Sequence, residues 1–320
     1  MTEPTTHKAE TYCGPWWDFF YGGILMDLKP ALTYNEQINR LIDVHNLTIT
    51  SKEAAISILK SINYYRLSGY GIGLKKPDNK EAYREGISLE HIYRLYQFDS
   101  LLRNKLIHLI EQLEIQLRTQ VAYYLALTYG AEGYMDASNF LDKKNKYNQS
   151  IHEIIIENFQ KECIRQKNIP FVKHHTLQYD GHFPIWVAIE LFTFGNLSSL
   201  YSILNLEDKK QIASLYHTKP QYLSSWLLSL VEIRNICAHY SRLYNMPLKQ
   251  TPRLYSDLAR YVPKKSNKLF PVLIAIKRML ESNYQWQEFE QELEQLMETY
   301  DDVIYLSFIG FPENWKSALA

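Results

Sequence analysis

Glycine and proline are scarce in this chain of 320 residues: there are twelve of each, where the two together make up about 12% of an average protein. That excludes a collagenous or low-complexity chain and argues against a turn-rich all-β protein. Cysteine is rarer still. Cys13, Cys163 and Cys237 lie far apart with no CxxC pair, so neither a disulfide framework nor a zinc ribbon is expected. Net charge is missing as well. Lys plus Arg and Asp plus Glu are both 35, which excludes a globally basic polyanion binder and restricts any nucleic-acid surface to a local patch. Long apolar runs are absent: the stretch Phe183–Phe194 is too short to span a bilayer and carries Glu190. The opening MTEPTTHKAETYCGPWWDFF lacks a basic segment followed by a clean apolar one, so no secretory signal is expected. The expected compartment is the cytoplasm, with no membrane partner.

What the chain has is tyrosine, 25 residues of it, and helical periodicity. Residues 1–28 stand apart, with Gly14, Pro15, Gly22 and Gly23 around an aromatic cluster from Trp16 to Tyr21. They read equally as an upstream extension before Met26 or as an arm docked on the body. Residues 29–87 form an N-terminal helical segment. In it Thr33 can cap a helix over 35–45, and Thr50 or Ser51 one over 52–62. The glycines at 69, 71 and 73 lack the GK[ST] ending of a phosphate loop and read as turn residues. Residues 88–248 form the expected core. Leu95, Phe98, Leu102, Leu106, Leu109, Leu113 and Leu117 recur three or four apart, which predicts one very long amphipathic helix or two joined by a kink. A helix over 151–167 follows a polar loop at Lys143, Lys144 and Lys146. An apolar helix over 183–201 should stop near Gly195, with Ser198 opening another. Pro220 should start a helix running to about Tyr244, ended by Pro247. No strand-rich region and no repeat is visible, so the fold class is all-α.

Residues 249–320 form a C-terminal helical segment, basic and then acidic. Nine cations face one acid, Asp257, over residues 241–278, and nine acids face one cation, Lys316, over 279–320. These blocks are either two solvated faces that pair with each other or a polyanion site with an acidic neighbour. Arg253, Arg260, Lys264, Lys265 and Lys268 are the candidate RNA contacts. Tyr255 and Tyr261, beside Arg253 and Arg260, are candidates for base stacking, although such tyrosines more often fill a core edge.

The segment SWLLSLVEIRNICAHYSRLYN (225–245) offers chemistry. Leu230, Ile233, Cys237, Tyr240 and Tyr244 make one apolar stripe of the predicted helix. Asn235, His239 and Arg242 line up on the other side, and Arg234 borders the stripe. A guanidinium grips phosphate through two hydrogen bonds and an imidazole titrates near neutral pH. Together they suit RNA cleavage without a metal or other cofactor, the His moving a proton and the Arg stabilising the charged phosphorane. The bare spacing Arg-x4-His is weak evidence, because it occurs twice, at Arg234/His239 and at Arg103/His108. His174, His175 and His182 lack the acids or cysteines that would complete a metal site.

The string RNICAHYSRLYN resembles the signature R-N-x-x-A-H-x-x-R-L-x-N of the Abi-like (AbiD/AbiF-type) abortive-infection proteins of the HEPN superfamily. The likeness covers about residues 32–250 and includes, in order, INYYRLSGY (62–70), LYQFDSLLRNKL (95–106), IEQLEIQLRTQVA (110–122) and PIWVAIELFTFGNLSSLY (184–201). It implies a HEPN-like helical bundle and a metal-independent endoribonuclease acting as a toxin or phage-defence effector. It also implies control by a structured antitoxin RNA, and a homodimer or larger assembly. Arg234 and His239 match the catalytic pair, Asn235 the polar position after the Arg, and Arg242 and Asn245 the trailing R-L-x-N. Glu111, Glu114 and Arg118 match I-E-x-x-E-x-x-x-R. Glu114 and Arg118 can pair one turn apart, and an acid there could also orient Arg234 across the bundle. His108 has no counterpart in the signature. Tyr65, Arg66, Gly69, Trp186 and Gly195 fall on family positions and read as packing or turn residues. Two other functions remain open: a non-catalytic RNA-binding scaffold using the basic block, and a protein adaptor docking through Phe289, Leu293, Leu296 and Met297 of the acidic tail.

Overall fold

The computed structural model describes residues 30–263, 266–280 and 284–319; the N-terminal aromatic cluster lies outside them. The all-α expectation holds, for among the described residues there are fifteen α-helices, four 3-10 turns and no sheet. Capping chemistry sets the early boundaries. Thr33 opens α1 (Tyr34–Asp43) with a capping box to Glu36, Ser51 opens α2 (Lys52–Ser61), and Asn63 opens α3 (Tyr64–Tyr70).

The predicted long helix is a single one, α4 (Leu89–Tyr129), of 41 residues and about 60 Å. Ser88 caps it, accepting from His91 N at 3.1 Å, and Gly130, at φ +83°, ends it in a conformation that only glycine adopts cheaply. No glycine or proline interrupts it. All seven residues of the Leu95–Leu117 stripe are buried. At about 1.5–3 kcal/mol per buried large side chain, packing outweighs propensity differences of a few tenths per residue.

After α4 come α5 (Ile151–Arg165), α6 (Pro170–Gln178), α7 (Ile185–Ala188), α8 (Phe194–Ile203), α9 (Leu206–Ser214) and α10 (Pro220–Ala238). The chain closes with α11 (Ser256–Ala259), α12 (Phe270–Met279), α13 (Tyr284–Thr299), α14 (Leu306–Ile309) and α15 (Trp315–Leu319). α4 is the spine, packed against α2, α3, α7, α9, α10 and α13, while α8, α9 and α12 support α10 from its other sides. The tail helix α13 buries Phe289, Leu293, Leu296 and Met297 in this chain's own core. That removes the apolar face on which the adaptor reading depended. Acids of the tail are neutralised in part by Lys105 to Glu292, Arg94 to Asp302, and Lys316 to Glu294 and Glu298.

Two predicted helices end elsewhere. The 183–201 run breaks at Phe192, which is extended, and Thr193 then caps α8 by accepting from Asn196 N. Gly195 therefore sits inside the first turn of α8 and stops nothing. α10 starts at Pro220 as expected but ends at Ala238, six residues before Tyr244. The stop is a left-handed cap on Tyr240, at φ +54°. Tyr240 N donates to Cys237 O, and Ser241 N to Ile236 O, the paired bonds that usually accompany a glycine in this place. The expected stripe is consequently cut short: Leu230, Ile233 and Cys237 face the core, Tyr240 points outward, and Tyr244 reaches the core from the following loop.

That loop is held by Asp99, which is fully buried on α4. Its carboxylate accepts from Leu243 N at 3.1 Å, Tyr244 N at 2.7 Å, Tyr70 Oη at 2.7 Å and Arg103 Nε at 3.1 Å. Burial pushes the carboxyl above its ordinary range, and the donors from Tyr70, Arg103 and Tyr244 oppose that shift. Asp99→Asn replaces an acceptor-only carboxylate with a group that also donates, and it leaves Arg103 charged and unpaired in the core. It is expected to destabilise the protein by about 3–5 kcal/mol, the usual cost of breaking a buried pair. Urea denaturation decides this, and a loss under 1 kcal/mol would show that the loop is held by other contacts.

Candidate active site

Arg234 lies near the end of α10, opposite α4. Its Nε donates to Glu114 Oε2 at 3.3 Å, and its Nη1 donates to Asn235 Oδ1 at 3.1 Å. The other oxygen of Glu114 accepts from Arg118 Nη2 at 2.5 Å, and Arg118 Nη1 donates to the carbonyl of Ile189 at the start of the 3-10 turn after α7. One carboxylate thus sits between two guanidiniums. The expected Glu114–Arg118 pair forms, and Glu114 also orients Arg234 across the bundle. Arg234, Glu114, Arg118 and Glu111 line a cleft of about 500 Å³ with Ile107, Ile115 and Ala238. Two of Arg234's five donors are used, which leaves one N–H on Nη1 and both on Nη2.

His239 is the C-cap residue of α10 and is exposed. With Asn235, Arg242, Glu232 and Met246 it lines a second concavity of about 560 Å³. Arg234 and His239 therefore open into different hollows on either side of the α10 terminus. Asn235 connects them, bonding Arg234 with its side chain while its backbone oxygen accepts from His239 N at 3.0 Å. Arg242 does not continue a helical face, because the helix has already ended. Its guanidinium lies over the Tyr70 ring at 5.9 Å and donates from Nη2 to Met246 Sδ, while Nη1 is buried without a partner. Burial lowers its pKa from the ordinary arginine range.

Asn245 adopts φ +55°, a conformation that Asn tolerates better than most residues. Its Oδ1 accepts from Lys268 Nζ at 3.4 Å, so Lys268 is half-buried at the loop rather than presented on a basic face. Burial first, and then Arg242, lowers the Lys268 ammonium's pKa. Gly73 lies where a Cβ would collide with the Phe308 ring and crowd the Asn245 amide, which accounts for a glycine there without any phosphate. Of the other basic candidates, Arg253 is exposed while its backbone ties the loop to α10 through Ser225 and Trp226. Arg260 is exposed over the ring of Tyr261. Lys264 and Lys265 lie outside the described residues. Tyr255 stacks on Tyr222 at 3.9 Å between centroids, so it fills a core edge.

The second Arg-x4-His spacing makes no site: Arg103 is buried against Asp99, while His108 is exposed. His175 and His182 serve a local cap, where His182 pairs with Glu132 and its carbonyl meets His175. Among the described residues no cluster of three or more His, Cys, Asp or Glu is arranged to hold a metal ion, and no helix is long and apolar enough to cross a membrane. Tyr65 and Trp186, expected to pack, are 69% and 55% exposed. Asp99 and Tyr70 escaped the sequence reading. Their signal was an acid four residues before an arginine on the edge of an apolar stripe, a place where charge persists only if paired.

Glu114 is the site's organising acid. Glu114→Gln should cost about 1–3 kcal/mol in urea denaturation, because it weakens two charge-assisted bonds in a part-buried setting. Arg234→Gln should cost less than about 1 kcal/mol, since its side chain keeps 30% exposure. The double variant should cost less than the sum of the two. Strict additivity would show that the two residues are energetically independent.

Residues 57–245 match the model of a family described as Abi-like protein, more than half of the chain. No curated protein and no solved structure matches it.

Proposed function

The chain belongs to the Abi-like family, which points to abortive infection and phage defence, and from that premise we propose that it is a metal-independent endoribonuclease of the HEPN type, acting in the cytoplasm as the effector of that defence. The observation that carries the proposal is the state of Arg234. A buried carboxylate on another helix and the adjacent Asn235 fix it at the mouth of a cleft, five residues before an exposed histidine.

In the proposed reaction the 2′-oxygen of RNA attacks its neighbouring phosphorus, the bond to the 5′-oxygen breaks, and a 2′,3′-cyclic phosphate and a free 5′-hydroxyl result. One imidazole takes the 2′-OH proton and another group protonates the leaving oxygen. Arg234 stabilises the equatorial charge of the phosphorane. A single His239 cannot stand on both sides of the phosphorus, and within one chain Arg234 and His239 face different hollows. Both facts favour a homodimer in which the α10 ends of two copies meet about a two-fold axis and bring both pairs to one phosphate. Control by a structured RNA that masks this site is a further part of the proposal, resting on the family resemblance alone.

Arg234→Ala and His239→Ala should each abolish cleavage of total RNA and any growth toxicity while retaining the helical circular-dichroism spectrum. Cleavage by either folded variant at the wild-type rate would remove it from the site. Wild-type cleavage should survive EDTA and leave cyclic or 3′-phosphate ends; loss in EDTA with recovery specific to magnesium would indicate another chemistry. Sedimentation should show a dimer, and specific activity should fall on dilution through its dissociation range. A monomer cleaving at full rate at every concentration would refute the shared site.

A further inference from the structure

The loop after α10 presents an aromatic ring at an energetic cost. Tyr240 sits at φ +54°, a conformation that disfavours bulky side chains and that glycine or asparagine adopts more readily. Its backbone oxygen is held by Arg66 Nη1 at 2.6 Å, so the turn is fixed from the neighbouring α3. Yet the ring contributes little to the core, being 68% exposed. Tyr65, on the first turn of α3, is as exposed as Tyr240 and lines the same groove. This groove, of about 500 Å³, also includes Arg66, Lys75 and Arg242. Among the described residues that line it there are three cations and no carboxylate. Arg242 lines the groove as well, its Nη1 buried with no acceptor among the described residues. Arg242 also lines the concavity of His239, so the two hollows are contiguous.

Resting on the ribonuclease reading above, we infer that this groove is a subsite for single-stranded RNA running to or from the cleaved phosphate: the exposed rings of Tyr65 and Tyr240 stack nucleobases, and Arg66, Lys75 and Arg242 take the backbone phosphates. Exposed aromatic faces set among cations without acids form the arrangement that binds single strands with little sequence preference, because every base has a stacking face. A duplex, whose bases are already stacked on one another, gains nothing from the rings. The substrate class is therefore unpaired RNA, and the strain at Tyr240 is the fold's concession to presenting a base platform next to the reacting histidine.

The test uses the full chain carrying His239→Ala, so that cleavage does not consume the probe, and a fluorescently labelled RNA octamer read by anisotropy. Tyr65→Ala and Tyr240→Asn should each weaken binding by about 5- to 150-fold, the range for losing one stacked base. Tyr240→Asn should leave the melting temperature unchanged or higher, because asparagine accepts the left-handed backbone; a merely structural tyrosine would give a lower one. Lys75→Gln should flatten the slope of log affinity against log salt by about 0.7, the value for one single-strand phosphate contact. Duplex RNA of the same sequence should bind more weakly and should be insensitive to both tyrosine variants. If the wild-type protein cleaves RNA and both tyrosine variants bind the octamer unchanged, the subsite is wrong and the ribonuclease stands. If the unmodified protein cleaves no RNA and the His239→Ala chain binds none, the underlying reading fails and this inference fails with it. If duplex and single strand lose affinity equally in the tyrosine variants, the stacking assignment is overturned.

Discussion

The buried carboxylate of Asp99 is the constraint on which the candidate site depends. It accepts from α3 through Tyr70, from α4 itself through Arg103, and from the backbone after α10 through Leu243 and Tyr244. Removing a carboxylate from water costs several kcal/mol, and only a full set of donors in good geometry offsets it. The charge is therefore tolerable only where three separate stretches of chain converge. That requirement fixes the path from His239 to Asn245, and with it the places of His239, Arg242 and Asn245. Glu114 acts similarly about four turns further along the same helix, joining Arg118, which also holds the Ile189 carbonyl, to Arg234. Two acids on one face of α4 thus organise both hollows at the α10 terminus.

Much of this was legible in the sequence as strings and little of it as geometry. The stripe from Leu95 to Leu117 gave the long helix, because period and burial report the same physical fact. Thr33, and Ser51 as one of two alternatives with Thr50, marked their helix starts, because a side-chain oxygen that satisfies orphan amides is a local signal. The Glu114–Arg118 pair followed from spacing alone. The end of α10 did not, for the cap there falls on a tyrosine instead of a glycine and is imposed from a distance by Arg66 and Asp99. Helix periodicity extrapolated past Ala238 put His239 and Arg242 on one polar face, whereas the left-handed turn sends the chain back toward α3 and α4. The break at Phe192 was missed for the converse reason. Gly195 drew attention as a breaker, while Thr193 with Asn196 three residues on carried the actual start.

The placement of charge follows the same logic. Overall neutrality conceals a basic stretch before an acidic one, and a linear reading assigns the first to RNA. In three dimensions three of its described cations are put to different uses. Lys268 turns in toward Asn245, Arg253 belongs to a loop tied to α10, and Arg260 lies over Tyr261. The cations that line the groove of Tyr65 and Tyr240 come from distant parts of the sequence, Arg66 and Lys75 from around α3 and Arg242 from the start of the basic stretch. A run of like charge along a chain is a weak guide to a patch, because neighbouring residues on a folded loop diverge while contacts across the fold converge.

The separation of Arg234 from His239 has a further consequence for regulation. A site assembled within one chain could be silenced only by occupying it or by distorting it. In the proposed dimer, a site whose guanidinium and imidazole open into different hollows would be completed by a second α10 terminus, and association itself would then be a point of control. A structured RNA laid across the α10 terminus and the neighbouring groove of Tyr65 and Tyr240 could both mimic substrate and keep two copies apart. Such binding requires no conformational change in the bundle. That suits a fold whose site-bearing residues are held by buried acids in α4, since a switch that had to break those pairs would meet a barrier of several kcal/mol for each.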